Sequence, residues 1–320
     1  MKDYKILFIT GHRKSGTSML NNLFDGHDDF LVYPNDISIF YGYYPNFIGK
    51  KFSFMIKKKR LLNVISKSLK NVSNNKNFDK NLFIKSIEKN INKKNIDQIK
   101  EIFKLIIKNF VQFSTKKNFK YIVIKETSMG MLLQEINKWF KKIKFIQIIR
   151  DPRDNYSSLN SGFEKYYKKN GESKKILLSS MINRASLDFK FIKINKDLLG
   201  SKKFYYCKFE DIVTKPKNQL QKICKYLNIN FSNKLLYPSV LGSKTKGNNF
   251  ENKKLFKISK INVNNWKTRI SKIEIEILEF YFQDIIKDFD YKKIKKINSK
   301  SVRNYYTWLN KNFYFKDSFK

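Results

Sequence analysis

Lys5-Ile6-Leu7-Phe8-Ile9-Thr10-Gly11-His12-Arg13-Lys14-Ser15-Gly16-Thr17-Ser18-Met19-Leu20 decides the fold of this 320-residue chain. An apolar run reads as a buried strand. A glycine-bracketed loop with two cations follows, and a Thr-Ser pair opens a helix. That order builds an anion cradle. The strand fixes the loop, Gly11 and Gly16 permit a tight turn, and the amides of the helix N-terminus point at a bound phosphate. A nucleotide-triphosphate loop of the Walker type needs Lys directly after its second glycine, then Ser or Thr to hold magnesium. Here Thr17 follows Gly16 and the lysine is Lys14, so the loop is expected to grip a phosphate-like group without that metal.

Outward from the loop, the strand and helix pattern repeats. Phe30-Leu31-Val32 is a short extended piece running to Tyr33-Pro34-Asn35-Asp36, and an aromatic stretch spans 37–47. Residues 50–118 are rich in Lys and Asn, with apolar residues at helical spacing, and read as two to four helices forming an insert or cap. Strands are expected at 121–125, 144–149 and 204–211, and helices at 17–24, 129–140, 172–196, 216–227 and 272–286. Pro152 is placed to open another helix, since its missing amide would be unpaired there. The expected fold is therefore α/β, a central parallel sheet flanked by helices, in a single domain over 1–320. A basic aromatic tail occupies 290–320. Ligands of such sheets bind beyond the carboxyl ends of the strands.

Net charge is +40, yet only seven of the 67 basic residues are arginine. The lysines come with abundant Asn, Ile, Phe and Tyr, so much of the charge reads as compositional drift on solvated faces. Three arginines (Arg13, Arg150 and Arg153) lie in two short motifs, where a planar donor fork suits phosphate. Cys207 and Cys224 fit reduced core thiols, and two histidines with two separated cysteines do not make a zinc site. No apolar run approaches the ~20 residues of a membrane span, and the first strand starts too early to leave room for a leader. A cytoplasmic setting is expected.

Arg13-Lys14-Ser15-Gly16-Thr17-Ser18 after a first strand resembles the 5′-phosphosulfate loop of sulfotransferases that use 3′-phosphoadenosine-5′-phosphosulfate (PAPS). Phe145-Ile146-Gln147-Ile148-Ile149-Arg150-Asp151-Pro152-Arg153-Asp154-Asn155-Tyr156-Ser157-Ser158 is similar to that family's 3′-phosphate segment, with its Ser eight residues after the Arg. Phe209–Pro216 and Ile261–Lys267 also resemble family segments. The resemblance covers roughly 1–48 and 120–290 and implies the sulfotransferase fold, PAPS as donor and no metal. It implies Lys14 at the bridging oxygen of the donor and a cradle made by Arg13, Lys14, Ser15, Gly16, Thr17 and Ser18. Arg150 and Ser158 are then expected on the 3′-phosphate, with Lys244, Lys246 and Gly247 closing over it. Lys125 matches a lysine that contacts the transferring sulfuryl group.

The acceptor hydroxyl needs a base. Some relatives use a His after a Lys-Thr pair, and none stands in Lys125-Glu126-Thr127-Ser128. Others use a carboxylate shortly after the first helix, which makes Asp36 the first candidate and Glu126 the second. The acceptor, a hydroxyl or an amine, is expected on a carbohydrate or glycolipid. His27 is expected to brace its turn, and His12 to neighbour the cofactor. Two other readings compete: a kinase or ATPase with a variant loop, and a basic protein binding nucleic acid or an anionic membrane. No nucleic-acid motif supports a specific nucleic-acid partner, peripheral contact with an anionic membrane stays open, and the oligomeric state is unread.

Overall fold

The computed structural model describes residues 5–40, 52–70, 72, 75–245, 255–293 and 299–312. Five parallel strands form the central sheet: β1 (Lys5–Thr10), β2 (Phe30–Asp36), β3 (Tyr121–Lys125), β4 (Ile143–Ile149) and β5 (Phe204–Lys208). Their spatial order is β2-β3-β1-β4-β5. β1 is central, with Ile6 to Ile9 paired to Ile122 to Lys125 on one side and Ile6 to Thr10 to Ile143 to Gln147 on the other. Its residues are apolar on both faces because both faces are covered.

On one face, Leu7 and Ile9 pack with Leu20, Leu23 and Phe24 of α1 (Thr17–Asp25). The same core takes Ile212 of α8 (Phe209–Thr214) and Leu220, Ile223 and Leu227 of α9 (Pro216–Leu227). On the other face, Ile6 and Phe8 pack with α5 (Leu133–Trp139), α6 (Pro152–Asn160) and α7 (Lys174–Lys203), the last interrupted at Gly200. The 50–118 segment supplies three described helices, α2 (Phe54–Ser68), α3 (Lys80–Asn90) and α4 (Ile99–Phe113). They join that second core, where the Phe8 and Phe103 rings lie 6.3 Å apart.

Beyond β5 come a short hairpin, β6 (Ser239–Val240) with β7 (Ser243–Lys244), then α10 (Trp266–Arg269), α11 (Lys272–Tyr281), α12 (Gln283–Asp288) and α13 (Ser299–Asn312). Two expected elements differ. The 204–211 strand stops at Lys208, because Glu210 and Asp211 lie in the first turn of α8, where acids favour a helix N-terminus. The 272–286 helix divides at Phe282, whose buried ring is fixed in the core. Cys207 and Cys224 are buried free thiols. Among the described residues no helix is long and apolar enough to cross a membrane.

Candidate active site

The loop after β1 is shaped by two close approaches. A Cβ at Gly11 (φ 149°) would meet the Ile148 carbonyl oxygen at 2.3 Å, and one at Gly16 (φ 105°) would meet the Phe209 ring at 2.6 Å. Only glycine fits either place. Lys14 itself is left-handed, with φ 66°. Gly16 offers no side chain to cap α1, and the first turn holds no acid. The first intrahelical bond runs from the Leu20 amide to the Gly16 carbonyl. The preceding helix amides have no intrahelical acceptor, and the positive end of the dipole is uncompensated. Thr17 and Ser18 line the cleft beside these amides. Ser15 corrects the expected cradle: its amide donates to the His12 carbonyl at 3.0 Å, and its hydroxyl lies behind the loop.

The second motif meets the first. At the end of β4, the buried Arg150 donates from Nη1 to the Lys14 carbonyl at 2.7 Å and from Nη2 to the Asn262 carbonyl at 2.6 Å. Its guanidinium lies 4.6 Å from the centre of the Phe209 ring. Asp151 caps α6 by accepting from the Arg153 amide, and Pro152 holds the first helical position. Arg153 faces away from the cleft. It is ion-paired with Asp151 and Glu279 at 2.6 and 2.5 Å and lies 4.2 Å from the Trp266 ring centre. Asp154 accepts from the Asn264 and Trp266 amides and binds the carboxyl-terminal section to the same helix. Asn155 clamps the loop through the Arg13 carbonyl at 2.9 Å and His12 Nδ1 at 2.6 Å. Burial holds His12 down at about 4, so its imidazole is neutral near pH 7. His27 braces its turn, accepting from the Asp29 amide and contacting the Asn230 carbonyl.

Between these elements lies a cleft of about 420 Å³, lined by Arg13, Lys14, Gly16, Thr17, Ser18, Asp36, Arg150 and Ser158 of the expected set. Burial, then the charges of Arg13 and Arg150, pull Lys14 down to about 8. Three cations crowded together, with Lys14 and Arg150 both shifted down chiefly by burial, are a site built for an anion. Tyr167, Lys257 and Arg269 also line the cleft and were not singled out from sequence. Arg269 carried a usable signal, the scarcity of arginine in a lysine-rich chain. Tyr167, which accepts from Arg13 Nη2 at 2.9 Å, carried none. Lys244 sits in β7 and is not among the cleft residues. Lys246 and Gly247 lie outside the described residues, as do 41–47 of the aromatic stretch. None of the described residues of 52–113 lines the cleft.

A bulge in the β2–β3 pairing sets Asp36 opposite Lys125. The buried Lys125 ammonium pairs with Asp36 at 2.6 Å. Asp36 reaches the cleft, whereas the buried Glu126 accepts from the Ser38 and Thr127 amides behind it. Burial and the neighbouring Asp36 charge push Glu126 up to about 8. Of the two carboxyls, Asp36 lines the cleft and Glu126 does not.

The residues fit an anionic nucleotide with two phosphate groups. An uncapped helix N-terminus and Lys14 stand on one side, and the buried Arg150, which lines the same cleft, stands on the other. Comparisons with known proteins bear on the fold and the family. The sulfotransferase domain of the Synechococcus PCC 7002 olefin synthase superposes with a TM-score of 0.60 at 16% identity, covering 92% of this chain and 98% of that one. Sulfotransferase STF9 from Mycobacterium avium superposes with a TM-score of 0.52 at 10% identity, covering 92% and 79%. Omega-hydroxy-beta-dihydromenaquinone-9 sulfotransferase Stf3 of Mycobacterium bovis is 24% identical over 132 residues. That match spans 40% of this chain and only about a third, 34%, of the curated relative. The model of the sulfotransferase family matches residues 7–233, most of the sheet and both phosphate motifs, and the chain belongs to that family of enzymes.

Proposed function

We propose that the chain moves a sulfuryl group from PAPS to an acceptor hydroxyl by in-line transfer. The observation that carries this reading is the contact between the two motifs, Arg150 on the Lys14 carbonyl across 136 positions of sequence. When bound, PAPS supplies the sulfuryl group and a 5′-phosphate leaving group. The amides at the start of α1, with Thr17 and Ser18, hold the 5′-phosphate, and the Lys14 ammonium stabilises negative charge developing on the leaving oxygen. Arg150 and Ser158 hold the 3′-phosphate, the arginine through charge-assisted hydrogen bonds. Asp36 accepts the acceptor proton, and Lys125 orients that carboxylate. Tyr167 orients Arg13 at the rim.

Carbohydrate or glycolipid remains our first reading of the acceptor, and a cytoplasmic setting suits the two free thiols. A lipid carrying a terminal hydroxyl is the second reading, favoured by the name of the Stf3 relative. Calorimetry with 3′,5′-ADP in chelator tests the reading. Tight binding without a divalent cation is expected. Binding of ATP only with magnesium, and none of 3′,5′-ADP, would reject it in favour of a kinase or ATPase.

A further inference from the structure

Beneath the phosphate loop, between the end of β4 and α7, lies a second cavity of about 10 Å³, close to the room one water molecule needs. Six of its lining residues are polar and at least nine-tenths buried: His12, Ser15, Gln147, Arg150, Asn155 and Asp188, and four of these, Ser15, Gln147, Arg150 and Asp188, have hydrogen-bonding capacity left over. Each carries a buried atom with no hydrogen-bond partner among the described residues: Ser15 Oγ, Gln147 Oε1, Arg150 Nε and Asp188 Oδ2. The other polar groups at the wall are already used. Asn155 is bonded to His12 and the Arg13 carbonyl, and Gln147 Nε2 donates to the Asp188 carbonyl at 2.9 Å. The Asp188 carboxyl accepts from the Gly130 amide through Oδ1 at 3.3 Å and is also held by the Ser128 hydroxyl, which leaves Oδ2 with capacity to spare.

Leaving four buried polar atoms unpaired is costly. Their chemistry matches one molecule. Arg150 Nε and the Ser15 hydroxyl are donors, while Gln147 Oε1 and Asp188 Oδ2 are acceptors. A water molecule accepts two hydrogen bonds and donates two. We propose that a single internal water is bound here by these four groups, and that through it Gln147 and Asp188 are positioning residues for Arg150 and for the back of the phosphate loop. Both Nη groups of Arg150 already reach carbonyls of Lys14 and Asn262. The water fixes the remaining Nε–H, so the guanidinium is held from three sides before any ligand arrives. That ordering is done in advance rather than at binding. The effect on ligand affinity rests on Arg150 being the 3′-phosphate residue; the water site does not.

Two measurements on the full chain separate these points. A crystal structure at a resolution that shows ordered solvent is expected to contain one water within hydrogen-bond distance of all four groups. A well-ordered cavity without it, or with the four atoms paired directly, would overturn the site. Asp188→Asn replaces one acceptor by a donor and changes little volume. It is expected to weaken 3′,5′-ADP binding about tenfold, as loss of a hydrogen bond to a charged group implies, with 5′-AMP binding and the melting temperature nearly unchanged. Equal affinity of the variant and the parent for 3′,5′-ADP would refute the positioning role. Arg150→Ala is the control. If it does not abolish the preference for 3′,5′-ADP over 5′-AMP, the assignment of Arg150 has failed while the water in the crystal still stands on its own.

Discussion

Lys14 is held by a left-handed backbone beside Arg13 and Arg150, and burial first, then those two charges, lower its pKa to about 8. That value should rise when an anion binds beside it, so donor binding takes up a proton around that pH. Affinity for 3′,5′-ADP is expected to hold below pH 8 and to fall by up to about tenfold per pH unit above it, as linkage requires. Calorimetry in buffers of different ionisation enthalpy checks both effects. The two carboxyls behave differently. Asp36→Asn is expected to lower kcat by about 100-fold or more, the ordinary contribution of a positioned base. Glu126→Gln is expected to retain most activity. Glu126 also leaves a stability signature. Its folded value of about 8 lies above the ordinary 4.5, so its contribution is complete below pH 4.5 and is lost as pH rises through 8. Chemical denaturation should therefore show the parent losing stability relative to Glu126→Gln between those limits, with a level difference above. Lys14, Arg150 and Ser158 were marked in the sequence by the resemblance of their segments to family motifs, and all three line the cleft. The sequence ranked Asp36 before Glu126 as base by resemblance alone; that Asp36 lines the cleft beside Lys125 follows from a bulge in the pairing of β2 with β3 across almost ninety positions, which no local reading supplies.

At the level of elements, the turn from β1 into α1 carries the function and leaves no spare room. Gly16→Ala would place a methyl 2.6 Å from the Phe209 ring in a backbone conformation that alanine avoids. Overpacking of this kind costs about 1–3 kcal/mol. The variant should melt lower and bind 3′,5′-ADP at least about tenfold more weakly, with both changes read in one ligand-dependent melting series. The start of α6 is the other critical junction. Arg153→Ala removes the guanidinium that offsets the buried Asp151 and Glu279 carboxylates and is expected to destabilise the chain by about 3–5 kcal/mol in urea unfolding. Asp151 as cap and Pro152 as first helical residue could be read locally. Glu279 could not, since it reaches this helix from α11. The missed end of β5 has the same origin. Phe204 to Phe209 reads as a mostly aromatic, apolar run that suits a strand, but Phe209 is withdrawn to close over Gly16 and Arg150.

For the whole molecule, five strands and their helices were readable because buried parallel strands announce themselves as apolar runs. The 50–118 segment was readable as helices but not as part of the main core, since its apolar stripes do not say what they face. The net charge of +40 tempts a reading as polyanion binding, yet the cleft uses only a handful of cations. Replacing Lys58 and Lys59, neither of which lines the cleft, by Gln is expected to leave 3′,5′-ADP binding within about twofold, because salt screens charges outside the site. Binding that tracked total charge and collapsed with salt would point instead to a general polyanion binder. The most direct measurement is a crystal structure with 3′,5′-ADP. It should show the 5′-phosphate on the amides of Thr17 and Ser18 beside Lys14, and the 3′-phosphate on Arg150 and Ser158. A nucleotide bound away from this cleft, or in it with neither phosphate on these groups, would contradict the account.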